Sequence, residues 1–394
     1  MRYFDHNATH PVSAAARTAW IDAVERFPAN PSSPHRLGAR AEAALRGARE
    51  QLAGWLGCSP FDLVWTSGAT ESNNAVLHHL AQSGDGDVWL SGIEHPCVLA
   101  AARRWLPGRH RFIPVTREGV LEWDWLTEAV RRNPPQAIAV MAANNETGVQ
   151  QPWEAIRELA RRHGAAFFCD AAQWLGRLPA QGLGGCDFVT GCAHKFGGPP
   201  GVGFLKCPPG FQPLIVGGPQ EDGRRAGTEN VPGVLSMIAA LAEREAAMAR
   251  GEGVLRGAWR DAFIAELQRA LPAVVVVGQA APRLWNTVAV LMPAAADCRR
   301  RWVVKLDKLG FAVSTGSACA SGKEQPSHVL AAMGFRAEES DRMLRFSAGW
   351  ETGPADWSQL LEAIRLTARE LLPLDGDSLD PSGTRAPSEG RMRT

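Results

Sequence analysis

His194 and Lys195 lie in the run Gly191-Cys192-Ala193-His194-Lys195-Phe196-Gly197-Gly198-Pro199-Pro200-Gly201, which follows the strand-like stretch Asp187-Phe188-Val189-Thr190. So much glycine and proline predicts a turn rather than a helix. A lysine held in such a turn can be desolvated, lose its proton near neutral pH and attack carbonyl carbon as a Schiff-base nucleophile. The competing reading is a solvated loop lysine, and this stretch alone favours it.

Other residues supply what an aldehyde cofactor bearing a phosphate and a pyridine ring would need. Asp170 ends the apolar run 165–169 and could keep a ring nitrogen protonated, so that the ring withdraws electrons; a helix cap is the alternative. Gln173, three residues on, could hydrogen-bond a ring hydroxyl. The turn Ser67-Gly68-Ala69-Thr70 opens a helix, where free N–H groups and the helix dipole favour a phosphate. His95, held before Pro96, could stack on the ring or shuttle protons, or serve as a structural hydrogen-bonding group.

Cys319 lies in Ser314-Thr315-Gly316-Ser317-Ala318-Cys319-Ala320-Ser321-Gly322, where every residue is small or polar. Such a loop is expected to be exposed and mobile, and its thiol is a plausible nucleophile. Leu344-Arg345-Phe346-Ser347 is a strand with one arginine, which could grip a substrate carboxylate bidentately or be an edge-strand surface charge.

The elements that must position these groups follow from the apolar pattern. Ser13 can cap a helix running to about residue 27, and residues 36–56 read as one long amphipathic helix. Tyr3 to Pro11 reads as a polar turn rather than a strand. From residue 61, short continuous apolar strands (62–65, 88–90, 137–142, 165–169) end in polar turns and alternate with helices. That pattern predicts a mainly parallel sheet sandwiched by helices, with ligands bound beyond the carboxyl ends of the strands. After residue 251, long helices (255–271, 357–372) flank short strands (274–277, 287–292, 343–347), which predicts a second, smaller α+β domain. We expect a large domain over 12–250, a small one over 1–11 and 251–373 carrying the cysteine loop, and a disordered tail over 374–394, which is rich in Ser, Pro, Gly and charge.

Composition excludes several classes. The 394 residues carry a formal net charge of +1 with 45% hydrophobic residues, so no basic field argues for nucleic acid or an anionic membrane. No apolar run approaches the roughly 20 residues of a membrane span, and no signal-peptide pattern is visible, so the expected setting is cytoplasmic. The eight cysteines include no C-x-x-C pair and are too sparse for a disulfide framework; no metal site is expected. No repeat of fixed period is found. Fourteen tryptophans against one tyrosine read as core and interface filler.

In chain order, the stretches resemble a fold type I pyridoxal-phosphate enzyme, and specifically a cysteine desulfurase of the NifS/IscS-like group of class V aminotransferases. They are Asp5-His6-Asn7-Ala8-Thr9-His10-Pro11, Asn30-Pro31-Ser32-Ser33-Pro34-His35, Thr66-Ser67-Gly68-Ala69-Thr70-Glu71-Ser72-Asn73-Asn74, Glu94-His95-Pro96, Asn144-Asn145-Glu146-Thr147-Gly148, Asp170-Ala171-Ala172-Gln173, His194-Lys195, Arg224-Arg225-Ala226-Gly227-Thr228-Glu229-Asn230 and Ser314 to Cys319. Each is weak alone; together and in register they cover residues 3 to about 350.

The resemblance implies pyridoxal 5'-phosphate on Lys195, with Asp170 at the ring nitrogen, Gln173 at the ring oxygen and His95 stacked on the ring. Ala69, Thr70, Cys192, His194 and Thr228 would surround the phosphate, Thr228 reaching across from the partner subunit of a homodimer. Asn145 and Arg345 would hold the substrate carboxylate. The implied reaction converts L-cysteine to L-alanine and leaves the sulfur on Cys319 as a persulfide. That sulfur then passes to an acceptor protein in iron–sulfur cluster assembly or tRNA thiolation. The chain departs from the family pattern at Cys192, where serine is usual, at Pro200, where lysine is common, at Pro219, and at His10, which replaces a frequent threonine. The alternatives are an aminotransferase of the same subfamily, for which Cys319 would be incidental, and a non-catalytic sulfur-transfer partner.

Overall fold

Apolar runs punctuated by turn residues become the strands of one large sheet. The computed structural model describes residues 1–316 and 327–372; Cys319 and the expected tail lie outside the described residues. In chain order the elements are β1 (Arg2–Tyr3), α1 (Ala14–Arg26), α2 (Arg36–Leu56), β2 (Leu63–Thr66), α3 (Ala69–Gln82), β3 (Val88–Ser91), α4 (Pro96–Trp105), β4 (His110–Ile113), α5 (Trp123–Arg132), β5 (Ala137–Ala139), α6 (Trp153–Arg162), β6 (Ala166–Asp170), β7 (Phe188–Cys192), β8 (Gly203–Lys206) and α7 (Val231–Ala249). They continue with α8 (Glu252–Ala270), β9 (Val275–Val276), β10 (Thr287–Leu291), α9 (Cys298–Lys308), β11 (Phe311–Ala312), α10 (His328–Ala332), α11 (Ala337–Ser340), β12 (Met343–Ser347) and α12 (Pro354–Leu371).

Seven strands form the large sheet in the order β2-β8-β7-β6-β5-β3-β4. The run from β7 to β4 is parallel, and β8 is antiparallel to both its neighbours. Successive residues point to opposite faces, and both faces are covered. Trp65, Phe167, Val189 and Phe204 pack with Leu45, Leu52 and Leu56 of α2 and Val234 and Leu241 of α7. Val64, Leu90, Phe168 and Leu205 pack on the other side with Leu77 and Leu80 of α3 and Val98 of α4. Phe167 is 0% exposed, so cutting it to Ala would cost about 3–5 kcal/mol.

A second sheet has the order β12-β10-β9, antiparallel throughout. It packs with α8, α9 and α12 in a core that includes Trp302, Leu344, Phe346 and Leu360, and Phe4 from the start of the chain is buried in the same core. Among the described residues no helix is long and apolar enough to cross a membrane.

The structure corrects the reading in places. The opening is not wholly a turn: β1 pairs in parallel with β11, and Asp5 bridges to Ser347. Tertiary pairing overrides a polar local sequence there. The run 137–142 is a regular strand only to Ala139, yet Val140 and Ala142 N–H still donate to Phe168 and Asp170 carbonyls at 2.9 Å. The helix after Asn144 begins only at Trp153. Helix α7 carried no amphipathic signal because it is buried on most sides, from Val231 to Ala247.

Candidate active site

The carboxyl ends of β2, β3, β5, β6 and β7 and the turns after them enclose a cavity of about 320 Å³. Ala69, Thr70, His95, Asn145, Asp170, Gln173, Cys192, His194 and Lys195 all line it, so nine sequence-selected residues meet in one place. Two other sequence-selected residues, both described, do not line it. Arg345 lies beside it, behind Asn145; Thr228 is exposed and outside it; Cys319 lies outside the described residues.

Lys195 stands in a single 3-10 turn, Ala193–Lys195, at the end of β7. Its Nζ donates to the carbonyls of Asn7 at 2.7 Å and Ala8 at 2.8 Å, and no carboxylate pairs with it among the described residues. Burial lowers its pKa to about 8; Cys192 and Asp170 oppose that shift, while Arg177 and Arg345 add to it. About a tenth of the amine is therefore neutral at pH 7, far more than for an ordinary lysine, as a Schiff-base nucleophile requires.

Asp170 is held at the floor. Its Oδ2 accepts from Asn73 Nδ2 at 2.8 Å and its Oδ1 from Ala172 N–H at 2.9 Å. Thr190 Oγ1 donates to Asn73 Oδ1 at 2.6 Å, which fixes the amide so that its NH₂ faces the carboxylate. Asn73, which the sequence offered only as part of a motif, is thus the group that orients Asp170.

His95 caps α4, and its Nδ1 accepts from Cys97 N–H at 3.2 Å. The neutral ring then carries its proton at Nε2, and burial lowers the pKa of this histidine. Cys97 also lines the cavity. Burial raises its thiol to about 12, so it is no nucleophile. Burial lifts Cys192 to about 11, against the pull of Lys195, so the thiol that stands in for serine is neutral. His194 is pushed down to about 4, first by burial and then by Lys195.

The start of α3 is built for an anion. Gly68 is its N-cap and leaves the first turn without a side-chain cap. A Cβ on Gly203 would sit 2.6 Å from Gly68 Cα, so only glycine lets β8 come this close. Glu71 takes the Ser67 N–H at 2.8 Å and is itself held by Arg225 at 2.9 Å. The Ala69 N–H meets only the weak acceptor Cys192 Sγ and the Thr70 N–H has no partner within the helix, so this turn can receive an anion.

Two buried acceptors lie at this cavity with no partner: Gln173 Oε1 and Asn145 Oδ1. Gln173 Nε2 is already used on the Asn7 carbonyl, 3.0 Å away. A buried, unmatched Oε1 fits a ring hydroxyl as donor. With Lys195 for an aldehyde, Asp170 for a ring nitrogen and the α3 N-terminus for a phosphate, the residues fit pyridoxal phosphate. Arg345 corrects the surface-charge alternative: it is 3% exposed. Its Nη2 donates to Asp5 Oδ1, and its Nη1 to the carbonyls of Asn145 at 2.8 Å and Gly316 at 3.1 Å.

The model of the family Aminotransferase class-V matches residues 2–360. A protein named cysteine desulfurase from Gluconacetobacter diazotrophicus is 37% identical, with 97% of this chain and 98% of that protein aligned. One named cysteine desulfurase IscS from Dictyoglomus turgidum is 33% identical over 94% of this chain and 95% of its own. The solved structure of a NifS-like protein from Rickettsia africae superposes with a TM-score of 0.83 at 28% identity, covering 94% of this chain and 99% of that one.

Proposed function

Because the chain belongs to the class-V aminotransferase family, whose cysteine desulfurase members are pyridoxal-phosphate enzymes, we propose that it is a cysteine desulfurase. It takes sulfur from L-cysteine onto Cys319 and releases L-alanine. The observation that carries the reading is that the residues flanking the Cys319 segment are held at the cavity's edge. Gly316 is held by Arg345 beside Asn145, and Ser327 Oγ donates to Glu146 Oε2 at 2.5 Å. Gly316 and Ser327, the residues on either side of 317–326, are thus held beside Asn145 and Glu146. An aminotransferase needs no protein thiol there.

Pyridoxal phosphate, when bound, supplies an electron sink for charge developing at the substrate α-carbon. The residues do the rest. The α3 N-terminus and His194 hold its phosphate, Asp170 its ring nitrogen, Gln173 its ring oxygen, and His95 covers one face. Arg345 and Asn145 receive the cysteine carboxylate. Lys195, its proton weakly held, removes the α-proton and returns it. The Cys319 thiolate attacks the substrate sulfur: an S–S bond forms, the C–S bond breaks, and the carbon fragment takes up a proton to leave as alanine. The outer sulfur then passes to an acceptor protein in iron–sulfur cluster assembly or tRNA thiolation. Thr228 is exposed and does not line its own chain's cavity, which supports the reading that it serves a second copy in a homodimer.

Cys319→Ser tests this. The variant should bind cofactor and substrate, because Lys195 and Asp170 are intact. It should fail to release alanine from cysteine, and sulfur should no longer add to the peptide holding residue 319. Alanine release at the parent rate would refute the mechanism.

A further inference from the structure

His6 and His10 flank Asn7 and Ala8, whose carbonyls hold Lys195, and their rings pack 4.6 Å apart. Glu351, just after β12, meets them. One donor atom from each of the three lies within 4.8 Å of the others, and His10 Nε2 is 3.2 Å from Glu351 Oε2. In a tetrahedral zinc site with bonds of about 2.0–2.1 Å, ligand atoms stand about 3.3 Å apart. The His10–Glu351 edge is already at that distance.

The orientation of the rings suits a cation. His10 Nδ1 lies 2.7 Å from the Pro11 carbonyl, which can only accept, so Nδ1 is the donor there and Nε2 is the ring atom turned toward Glu351. A carbonyl on the far nitrogen is the usual way a metal-binding histidine is oriented. Among the described residues His6 Nδ1 is buried without a hydrogen bond and Glu351 is the one group near His10 Nε2, and each histidine is only 5% exposed. One cation satisfies both rings.

The surroundings fit. A Cβ on Gly349 would lie 2.2 Å from His6 Cε1, so the ring has its seat because that residue is glycine. The Glu351 side chain is 62% exposed, which leaves a path in and a position for water. Arg244 donates to the other carboxylate oxygen, Oε1, at 3.3 Å, keeping Oε2 free. Two imidazoles with one carboxylate suit zinc-class ions better than magnesium or calcium.

We propose that His6, His10 and Glu351 form a binding site for a zinc-class divalent ion, with a fourth position open to water. The ion would tie the segment at Asn7 and Ala8 to the loop after β12. His10 N–H also donates to the His194 carbonyl at 2.7 Å, so the same tie reaches the turn that carries Lys195. The role is one of positioning, outside the cavity itself.

Zinc back-titration of chelator-stripped holoenzyme against a chromogenic chelator tests this, in a Cys319→Ser background so that the loop thiol cannot compete. One equivalent per chain should bind. Losing a direct ligand should cost at least as much as losing an outer partner, roughly tenfold to a hundredfold in affinity, so His10→Ala and Glu351→Gln should each show that loss. Cobalt in place of zinc should give a spectrum without thiolate charge transfer, and zinc should raise the melting temperature of the Cys319→Ser protein but not of its Glu351→Gln derivative. Glu351 is exposed enough that its variant decides the matter even if His10→Ala does not fold. No stoichiometric uptake, a thiolate band, or unchanged affinity in Glu351→Gln would each overturn the proposal.

Discussion

Arg345 Nη2 donates to Asp5 Oδ1 at 2.6 Å, joining two residues 340 positions apart. Before a substrate carboxylate can take the guanidinium, this pair must share or release it. Arg345→Ala should lower kcat/KM for cysteine by roughly tenfold to a hundredfold, about 1.5–3 kcal/mol for a charged hydrogen bond. Most of the loss should fall on KM, and steady-state kinetics would show it. Asp5→Asn keeps the Asn145 and Gly316 contacts and should destabilise the fold by about 1–3 kcal/mol, read from the denaturant midpoint. An unchanged kcat/KM in Arg345→Ala removes Arg345 from substrate binding.

Lys195 reacts as the neutral amine, and burial brings its pKa down to about 8. Raising the pH increases the neutral fraction. The rate at which apo-protein takes up pyridoxal phosphate should therefore rise with an apparent midpoint near 8, not near the ordinary 10.5. Stopped-flow absorbance across pH 6–10 measures it. A midpoint above about 10 would mean that Lys195 is solvated like an ordinary lysine.

Asn73→Ala removes the amide that orients Asp170 and also strips Thr190 Oγ1 of its acceptor. Cofactor affinity of the apo-protein should fall by about tenfold, since a hydrogen bond to a charged group is worth on the order of 1.5–3 kcal/mol. Asn73→Asp should be worse, because it sets two carboxylates together. Equal affinity in Asn73→Ala and parent would make Asn73 merely structural.

Glu94 is 1% exposed. Burial raises its pKa to about 8, against hydrogen bonds from Ser91 Oγ and Met141 N–H. The folded chain thus keeps a proton that the unfolded chain releases above about 4.5. Its contribution to stability is full below that pH and is lost as the pH rises through about 8, by up to about 1.4 kcal/mol per pH unit. Glu94→Gln keeps the Oε1 acceptor and should remove this part of the slope. Chemical denaturation of both proteins at pH 5 and 8 would reveal it; equal pH slopes would contradict the buried-acid reading.

The sequence made the large sheet legible because its strands are buried on both faces. Residues such as Val64-Trp65 and Phe167-Phe168 send neighbours to opposite cores and so appear as unbroken apolar runs. The cavity was legible for the same reason, since each run ends in the polar turn that lines it. What escaped depends on distant partners. Nothing local marks Arg2–Tyr3 as a strand, because its partner is Phe311–Ala312. Asp5 gave no hint of Arg345, nor Asn73 of Asp170, since both pairings cross between elements. Helix α7 escaped because burial on most sides erases the polar stripe that marks a surface helix.

The segment from Asp5 to His10 has a further consequence, in the order of synthesis. These residues leave the ribosome early, yet Asp5, His6 and Asn7 bond to Ser347 and Arg345, made some 340 residues later. Until β12 emerges, that segment has no anchor there, and Lys195 lacks the fixed Asn7 and Ala8 carbonyls that hold its amine. Closing so long a loop comes late in folding. Nascent chains stalled short of β12 should already form the large sheet but fail to fix Lys195, so the reactive amine would be completed only after β12 has been made.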